Sequence, residues 1–189
     1  MKIFFHIVSL VIRHLVEGKD ISRALMNYRC EGIELNGTVL DLGAGKDPPY
    51  YKFMKKGESR VIKIDIDKNN KPDVLADLER EFPFKNCACD CLIAFNVLEH
   101  LYNHDYFRYS KFALHNILSE IGFKNINIES IGFWIFTVIC QYTLRIPIVG
   151  RSLVIITFPF LKALDDFILR KFSGQREMYT LEYFVWAIK

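Results

Sequence analysis

Val39-Leu40-Asp41-Leu42-Gly43-Ala44-Gly45 is the stretch on which the fold turns. Residues 38–42 are a short apolar run ending at glycines, the mark of a buried strand. The glycine-rich turn Gly43-Ala44-Gly45-Lys46-Asp47-Pro48-Pro49 follows, and residues 50–56 read as a helix that ends near Gly57. A second strand, Val61-Ile62-Lys63-Ile64-Asp65-Ile66, carries an acid at its end. Asp65 lies 20 residues beyond Gly45, the length of one strand-helix-strand unit. Gly43 and Gly45 allow a sharp turn and a close approach of backbone to a ligand. The acid after the second strand can take two ribose hydroxyls at once.

The rest of the chain extends this alternation. Toward the C-terminus come a polar turn (residues 67–71), a short strand at Asp73-Val74-Leu75, a strand over 91–95 and a helical turn over 97–101. Ser110 caps a helix bearing Phe112, Leu114, Ile117 and Leu118 that stops at Gly122. A strand over 126–131, an apolar tract over 133–170 and a terminal strand over 183–188 complete the chain. Residues 3–16 and 20–29 are two helices parted by Gly18. Strands alternating with helices predict an α/β fold, a Rossmann-like and mostly parallel sheet with helices on both faces.

The turn also narrows the ligand. A dinucleotide fingerprint needs a third glycine where Pro48 stands, and a phosphate loop needs Ser or Thr after Gly45-Lys46, where Asp47 stands. The Asp41 carboxylate would repel a pyrophosphate and suit a cation. The expected ligand carries adenosine, no phosphates and a positive centre, and S-adenosylmethionine fits.

Residues 39–101 resemble a class I S-adenosylmethionine-dependent methyltransferase of the small-molecule, type 11-like kind. The resemblance rests on Val39–Gly45, on Ile64-Asp65-Ile66-Asp67, and on Leu75-Ala76-Asp77-Leu78-Glu79 with Phe82-Pro83-Phe84. It rests also on Asp90 to Phe95 followed by Asn96-Val97-Leu98-Glu99-His100-Leu101. It implies that Asp41, Gly43, Ala44 and Gly45 contact the methionine part and that Asp65 binds the ribose. It implies further that Ile66 packs on adenine, that Asp77 accepts from the adenine amino group, that Leu78 offers its backbone, and that Asn96 lies beside the methionine end. His100, His104 and Tyr106 fall where an acceptor would approach. His104 is the better base, and no catalytic residue is assigned outright.

The family pattern breaks after the fourth strand. Members continue with a helix, a P-G-G turn and a fifth strand. Here no Gly-Gly occurs, no Pro lies between Pro83 and Pro147, and only 14 residues, Asn96 to Tyr109, precede Ser110. A parallel crossover alone takes about a dozen residues, so the chain reads as a family member shortened by about one strand-helix unit. His104 to Ser110, Ile121-Gly122-Phe123 and Glu182 to Val185 still resemble later parts of the family. The resemblance implies one methyltransferase-like domain over 1–189. Its parts are N-terminal helices (1–30), a nucleoside-binding core (36–132), an apolar helical insertion or lid (133–170) and a terminal strand (180–188).

Composition sets the outer limits. Hydrophobic residues make up 51% of the chain and charged residues 25%, which excludes wholesale disorder. With 25 basic and 22 acidic residues the net charge is +3, so no nucleic-acid partner is expected. Lys52, Lys55, Lys56, Arg60 and Lys63 read as a solvated face. Five cysteines (Cys30, Cys87, Cys89, Cys91 and Cys140) form no regular framework. The C-x-C-x-C run lacks the usual zinc spacing, no metal is expected, and a reducing, cytoplasmic setting suits the thiols.

Two stretches bear on membranes. The N-terminus starts like a signal peptide but shows no small-residue cleavage pattern, and Ile3, Ile7, Leu10, Val11 and Leu15 recur at helical spacing. Residues 131–144 carry no charge, yet Arg145 and Arg151 interrupt the tract before a span of about 20 residues is reached. A lid, a helical pair on a membrane surface, or helices buried on the sheet are the readings of this tract. The expected activity is methyl transfer to a small-molecule or lipid-linked acceptor. The alternative is an inactive S-adenosylmethionine-binding or degenerate relative, acting as an interaction or membrane-associated module. A homodimer through an exposed sheet edge and a peripheral membrane contact are the expected associations.

Overall fold

The short apolar strands between residues 34 and 94 pair in parallel in the computed structural model of the chain. It describes residues 1–80, 83–85, 88–95, 97, 110–120, 122–132, 135–146, 149–171 and 182–188. The chain divides into two compact units. Residues 30–110 form one, and residues 1–29 with 111–189 form the other.

In the first unit, β1 (Glu34–Leu42), β2 (Lys55–Asp65), β3 (Val74–Leu75) and β4 (Cys91–Ala94) make a wholly parallel sheet in the order β3-β2-β1-β4. This is the 3-2-1-4 order of a Rossmann-like sheet, so the α/β fold expected from the sequence is present. Leu35, Val39, Leu40, Ile64 and Ile93 are buried along the strands. Asp41 pairs in register with Lys63 on one side and Ile93 on the other. The outer strands β3 and β4 are two and four residues long, and short edges offer little template for pairing with another chain.

One local expectation is corrected. Residues 50–56 form no α-helix. A single 3-10 turn, Pro49–Lys52, is followed by β2, which starts at Lys55, well before the expected Val61. Two prolines start the turn, and the Lys55 N–H then donates to the Ile33 carbonyl at 2.9 Å. Once Lys55 and Lys56 pair with Glu34 and Leu35, the strand ladder satisfies the backbone groups that a helix would have used.

The second unit holds α1 (Lys2–Val16), α2 (Ile21–Cys30, whose last residue belongs to the first unit), α3 (Lys111–Glu120), α4 (Ile135–Thr143) and α5 (Gly150–Lys171). It also holds β5 (Lys124–Ile131) and β6 (Glu182–Ile188), which pair antiparallel with each other as a separate two-stranded sheet. Antiparallel pairing is confined to this ladder among the described residues.

Helix ends in this unit are closed by side chains from other helices. Gln141 of α4 accepts from the Ile21 N–H at 3.1 Å and so opens α2. Arg151 of α5 donates to the Leu15 and Gly18 carbonyls at 3.3 and 3.0 Å and closes α1. Asp165 of α5, fully buried, accepts from the Phe136 and Thr137 N–H groups and the Thr137 hydroxyl at 3.2, 2.9 and 2.7 Å. It caps α4, whose own sequence supplies no capping acid. Buried His14 ties α1 to α2. Its Nδ1 donates to the Leu10 carbonyl at 2.9 Å, so Nε2 is left to accept from the Asn27 amide at 2.8 Å.

Cys30 and Cys140 are buried, and burial pushes their thiols up to about 12 and about 11. They are packed as small apolar groups, not poised as nucleophiles. No cluster among the described residues could hold a metal ion. No helix among them is long and apolar enough to cross a membrane.

Candidate functional site

In a parallel sheet of this order, ligands bind outside the carboxyl ends of the strands, where the order reverses between the first and fourth. Of the residues expected from the sequence, Asp41, Gly43, Ala44, Gly45, Asp65 and Ile66 lie at the carboxyl ends of β1 and β2. The Gly43 and Ala44 N–H groups donate to the Ile64 carbonyl at 2.8 and 3.3 Å, which fastens the turn after β1 to the end of β2. Gly43 has φ +63°, and a Cβ on it would fall 2.5 Å from the Val97 side chain. Gly45 has φ +67°, and a Cβ there would meet nothing within 4 Å. The first glycine is needed for fit. The second leaves its backbone bordering open space.

Asp65 links the two halves of the motif. Its Oδ2 accepts from the Gly45 N–H at 2.9 Å and from the Asn70 amide at 3.1 Å, and its Oδ1 accepts from the Asp67 N–H at 2.8 Å. A carboxylate has about four acceptor positions, so three of them are used within the unit. A pair of ribose hydroxyls would share this carboxylate with Asn70 or displace its amide. Ile66, the next residue, is 67% exposed, an apolar side chain standing in solvent beside the acid.

Asp41 is fully buried at the end of β1. Its Oδ2 accepts from the Tyr50 hydroxyl at 2.6 Å and from the Tyr51 hydroxyl. Its Oδ1 has no hydrogen-bond partner among the described residues. Burial holds the Asp41 carboxyl above the usual carboxylate range, against the two tyrosine hydroxyls and the charge of Lys63. Burial and the adjacent carboxylate also raise the Tyr51 hydroxyl. The Tyr50 ring packs 5.0 Å from Tyr51 and 4.7 Å from Phe95, centroid to centroid.

A pH dependence follows from Asp41. A carboxyl raised in the fold adds stability below its unfolded value, and that contribution is lost as pH rises through the raised value. Asp41→Asn removes it. In denaturant titrations the advantage of the unsubstituted chain over Asp41→Asn should shrink as pH rises above the usual carboxylate value. A gap that widens with pH would contradict this.

Asp77 closes its own turn. Its Oδ1 accepts from the Glu79 N–H at 3.0 Å, and its Oδ2 lies 3.1 Å from the Arg80 guanidinium. Leu78 is half-buried in the same turn. Asn96, His100, His104 and Tyr106 lie outside the described residues, as do Cys87 and residues 98–109. Lys52, Lys55, Lys56 and Arg60 are exposed, and Lys63 is half-buried.

Sequence reasoning missed Tyr50 and Tyr51, which it placed on a helix, and Asn70, which it left in a polar turn. Their residue types do not mark them: Tyr50 and Tyr51 reach Asp41 from the 3-10 turn after β1, and Asn70 reaches Asp65 across five residues of the turn after β2. Asp90 was also missed as a clamp. Its carboxylate accepts from the Thr38 N–H at 2.8 Å and its N–H donates to the Thr38 carbonyl at 2.9 Å, joining the approach to β4 to β1.

The carboxyl ends of β1 and β2 thus bring together a buried Asp41 oxygen with no hydrogen-bond partner among the described residues, the open Gly45 backbone, the Asp65 carboxylate and the exposed Ile66 side chain. The chain matches no protein-family model, no curated protein and no solved structure.

Proposed function

We propose that the chain is an S-adenosylmethionine-dependent methyltransferase acting on a small or lipid-linked acceptor. One observation carries the reading most directly. The glycine turn after β1 and the acid after β2 are joined by the Gly45–Asp65 hydrogen bond at the carboxyl end of a 3-2-1-4 sheet. When bound, the cofactor supplies a methyl group on a sulfonium, which an acceptor takes by in-line displacement.

The chain's own residues hold the parts in place. Asp65 accepts from the ribose hydroxyls, with Asn70 and the Gly45 N–H setting the carboxylate's orientation. Ile66 covers one face of the base. The Asp41 carboxylate attracts the cationic end, and Tyr50 and Tyr51 fix which of its oxygens stays available. Positioning of this kind is the main demand of a displacement reaction. A second reading, a nucleoside-binding module without turnover, draws on the tyrosine pair that occupies Asp41 and on the Arg80 contact that engages Asp77.

Calorimetric titration of the folded chain with S-adenosylhomocysteine tests the site. Binding in the micromolar range is expected, weakened about tenfold to a hundredfold by Asp65→Ala through loss of charge-assisted hydrogen bonds. No binding by a chain folded by circular dichroism would overturn the proposal. Binding without methyl transfer to any acceptor offered would favour the second reading.

A further inference from the structure

The longest helix among the described residues, α5, buries charged side chains beside its core residues and leaves an apolar face exposed. On α5 the buried residues are Gly150, Val154, Phe158, Lys162 and Asp165. Every exposed residue between Ser152 and Arg170 is apolar: Leu153, Ile156, Phe160, Ala163, Leu164 and Phe167. They recur at three- and four-residue spacing, so they form one stripe along the helix. Ile156, Phe160 and Phe167 are 67%, 77% and 66% exposed. The charged groups turned inward are paired. Asp165 caps α4, and Lys162 Nζ lies 2.6 Å from the Asp166 carboxylate.

We infer that this stripe docks on the surface of an anionic lipid bilayer, with α5 lying along the interface. Cations stand at both ends of the stripe. Exposed Arg145 precedes its start, and exposed Arg170 and Lys171 stand at its end. The Arg145 guanidinium lies 5.2 Å from the ring centroid of exposed Tyr142, an aromatic-cation pair suited to the headgroup level. Two threonine hydroxyls on α4 and α5 are satisfied within their helices. The Thr157 hydroxyl donates to the Leu153 carbonyl and the Thr143 hydroxyl to the Ile139 carbonyl, both at 2.8 Å. Hydrocarbon requires such internal satisfaction, whereas water does not.

Charge also decides between a bilayer and a second copy. A two-fold axis along the helices would set Arg145 against Arg145 and Arg170–Lys171 against their copies. An axis across them would set Arg145 against Arg170 and Lys171. Either pairing brings cations together at both ends, and the stripe offers no exposed acid to offset them. An anionic surface accepts both ends together. The helix is 22 residues long but carries Lys162, Asp165 and Asp166 in its middle turns, so it lies on the bilayer and does not span it.

This inference stands apart from the nucleoside reading, since none of these residues belongs to that site. The test is co-sedimentation of the full chain with phosphatidylcholine vesicles containing roughly a third phosphatidylserine. Partitioning is expected to fall at least about tenfold on phosphatidylcholine alone or at about half-molar salt. Phe160→Ser with Phe167→Ser should lower it at least about tenfold on anionic vesicles. If that variant fails to fold by circular dichroism, Arg170→Glu with Lys171→Glu takes its place, with the same loss expected. Failure of the folded chain to pellet with anionic vesicles overturns the proposal. So does partitioning unchanged in the variants, or a dimer in sedimentation velocity that the serine variant dissociates.

Discussion

Replacing Asp165 with Ala should lower the unfolding free energy by about 3–5 kcal/mol, the cost of stripping a buried acceptor from several donors. Asp165 receives two N–H groups and one hydroxyl from the first turn of α4. The side chain is fully buried, so water cannot take its place without opening the packing of α4 on α5. The carboxylate also sits at the positive end of the α4 dipole, which favours its charge. Burial still raises its pKa, more than the Thr137 and Phe136 hydrogen bonds lower it, and the neighbouring Asp166 adds to the rise. The contribution tied to this shift is therefore present at low pH and lost as pH rises through the raised value. Thr137→Val, which removes only the hydroxyl donor, should cost about 1 kcal/mol. Urea unfolding followed by circular dichroism measures both. A loss below about 1 kcal/mol for Asp165→Ala would show that α4 does not depend on this cap.

Gly43→Ala should cost about 2–4 kcal/mol, and Gly45→Ala only about 1–2 kcal/mol. Both glycines have positive φ, so both substitutions meet the left-handed backbone penalty. Only at Gly43 does the new methyl collide with a side chain, and that side chain is Val97, whose branched Cβ has few rotamers to offer. Relief would have to come from displacing the chain just after β4. At Gly45 the methyl enters open space instead, where the proposed ligand's backbone contact lies. Gly45→Ala should thus weaken S-adenosylhomocysteine binding by more than its small stability loss suggests. Equal stability losses at the two positions would contradict the packing described here. Chemical denaturation of the two variants beside the unsubstituted chain distinguishes the cases.

The parallel core was legible because its signals are local. Val39 to Leu42, Val61 to Ile64 and Cys91 to Ala94 are short, largely apolar runs, and each lies in a strand. The 20-residue spacing of Gly45 and Asp65, read as one strand-helix-strand unit, does bring the two together, although a 3-10 turn stands where the helix was expected. The misread helix over 50–56 shows where local signals stop. Lys52 to Lys56 suits a helix by propensity, yet pairing with Glu34 and Leu35 extends β2 through Lys55 and Lys56.

Amino-acid order by itself determined the strand-turn-strand core and the acid and glycines at its carboxyl end. It also determined the helical periodicity of the flanking segments, because all of these depend on neighbours within a few residues. Tertiary structure decided which tyrosines hold Asp41, which residue caps α4, and which side of α5 faces inward. Each of these depends on groups brought together from distant positions. Periodicity marks a stripe, but only packing decides whether the core takes the apolar stripe or, as on α5, encloses Lys162 and Asp165 and leaves Phe160 and Phe167 outside.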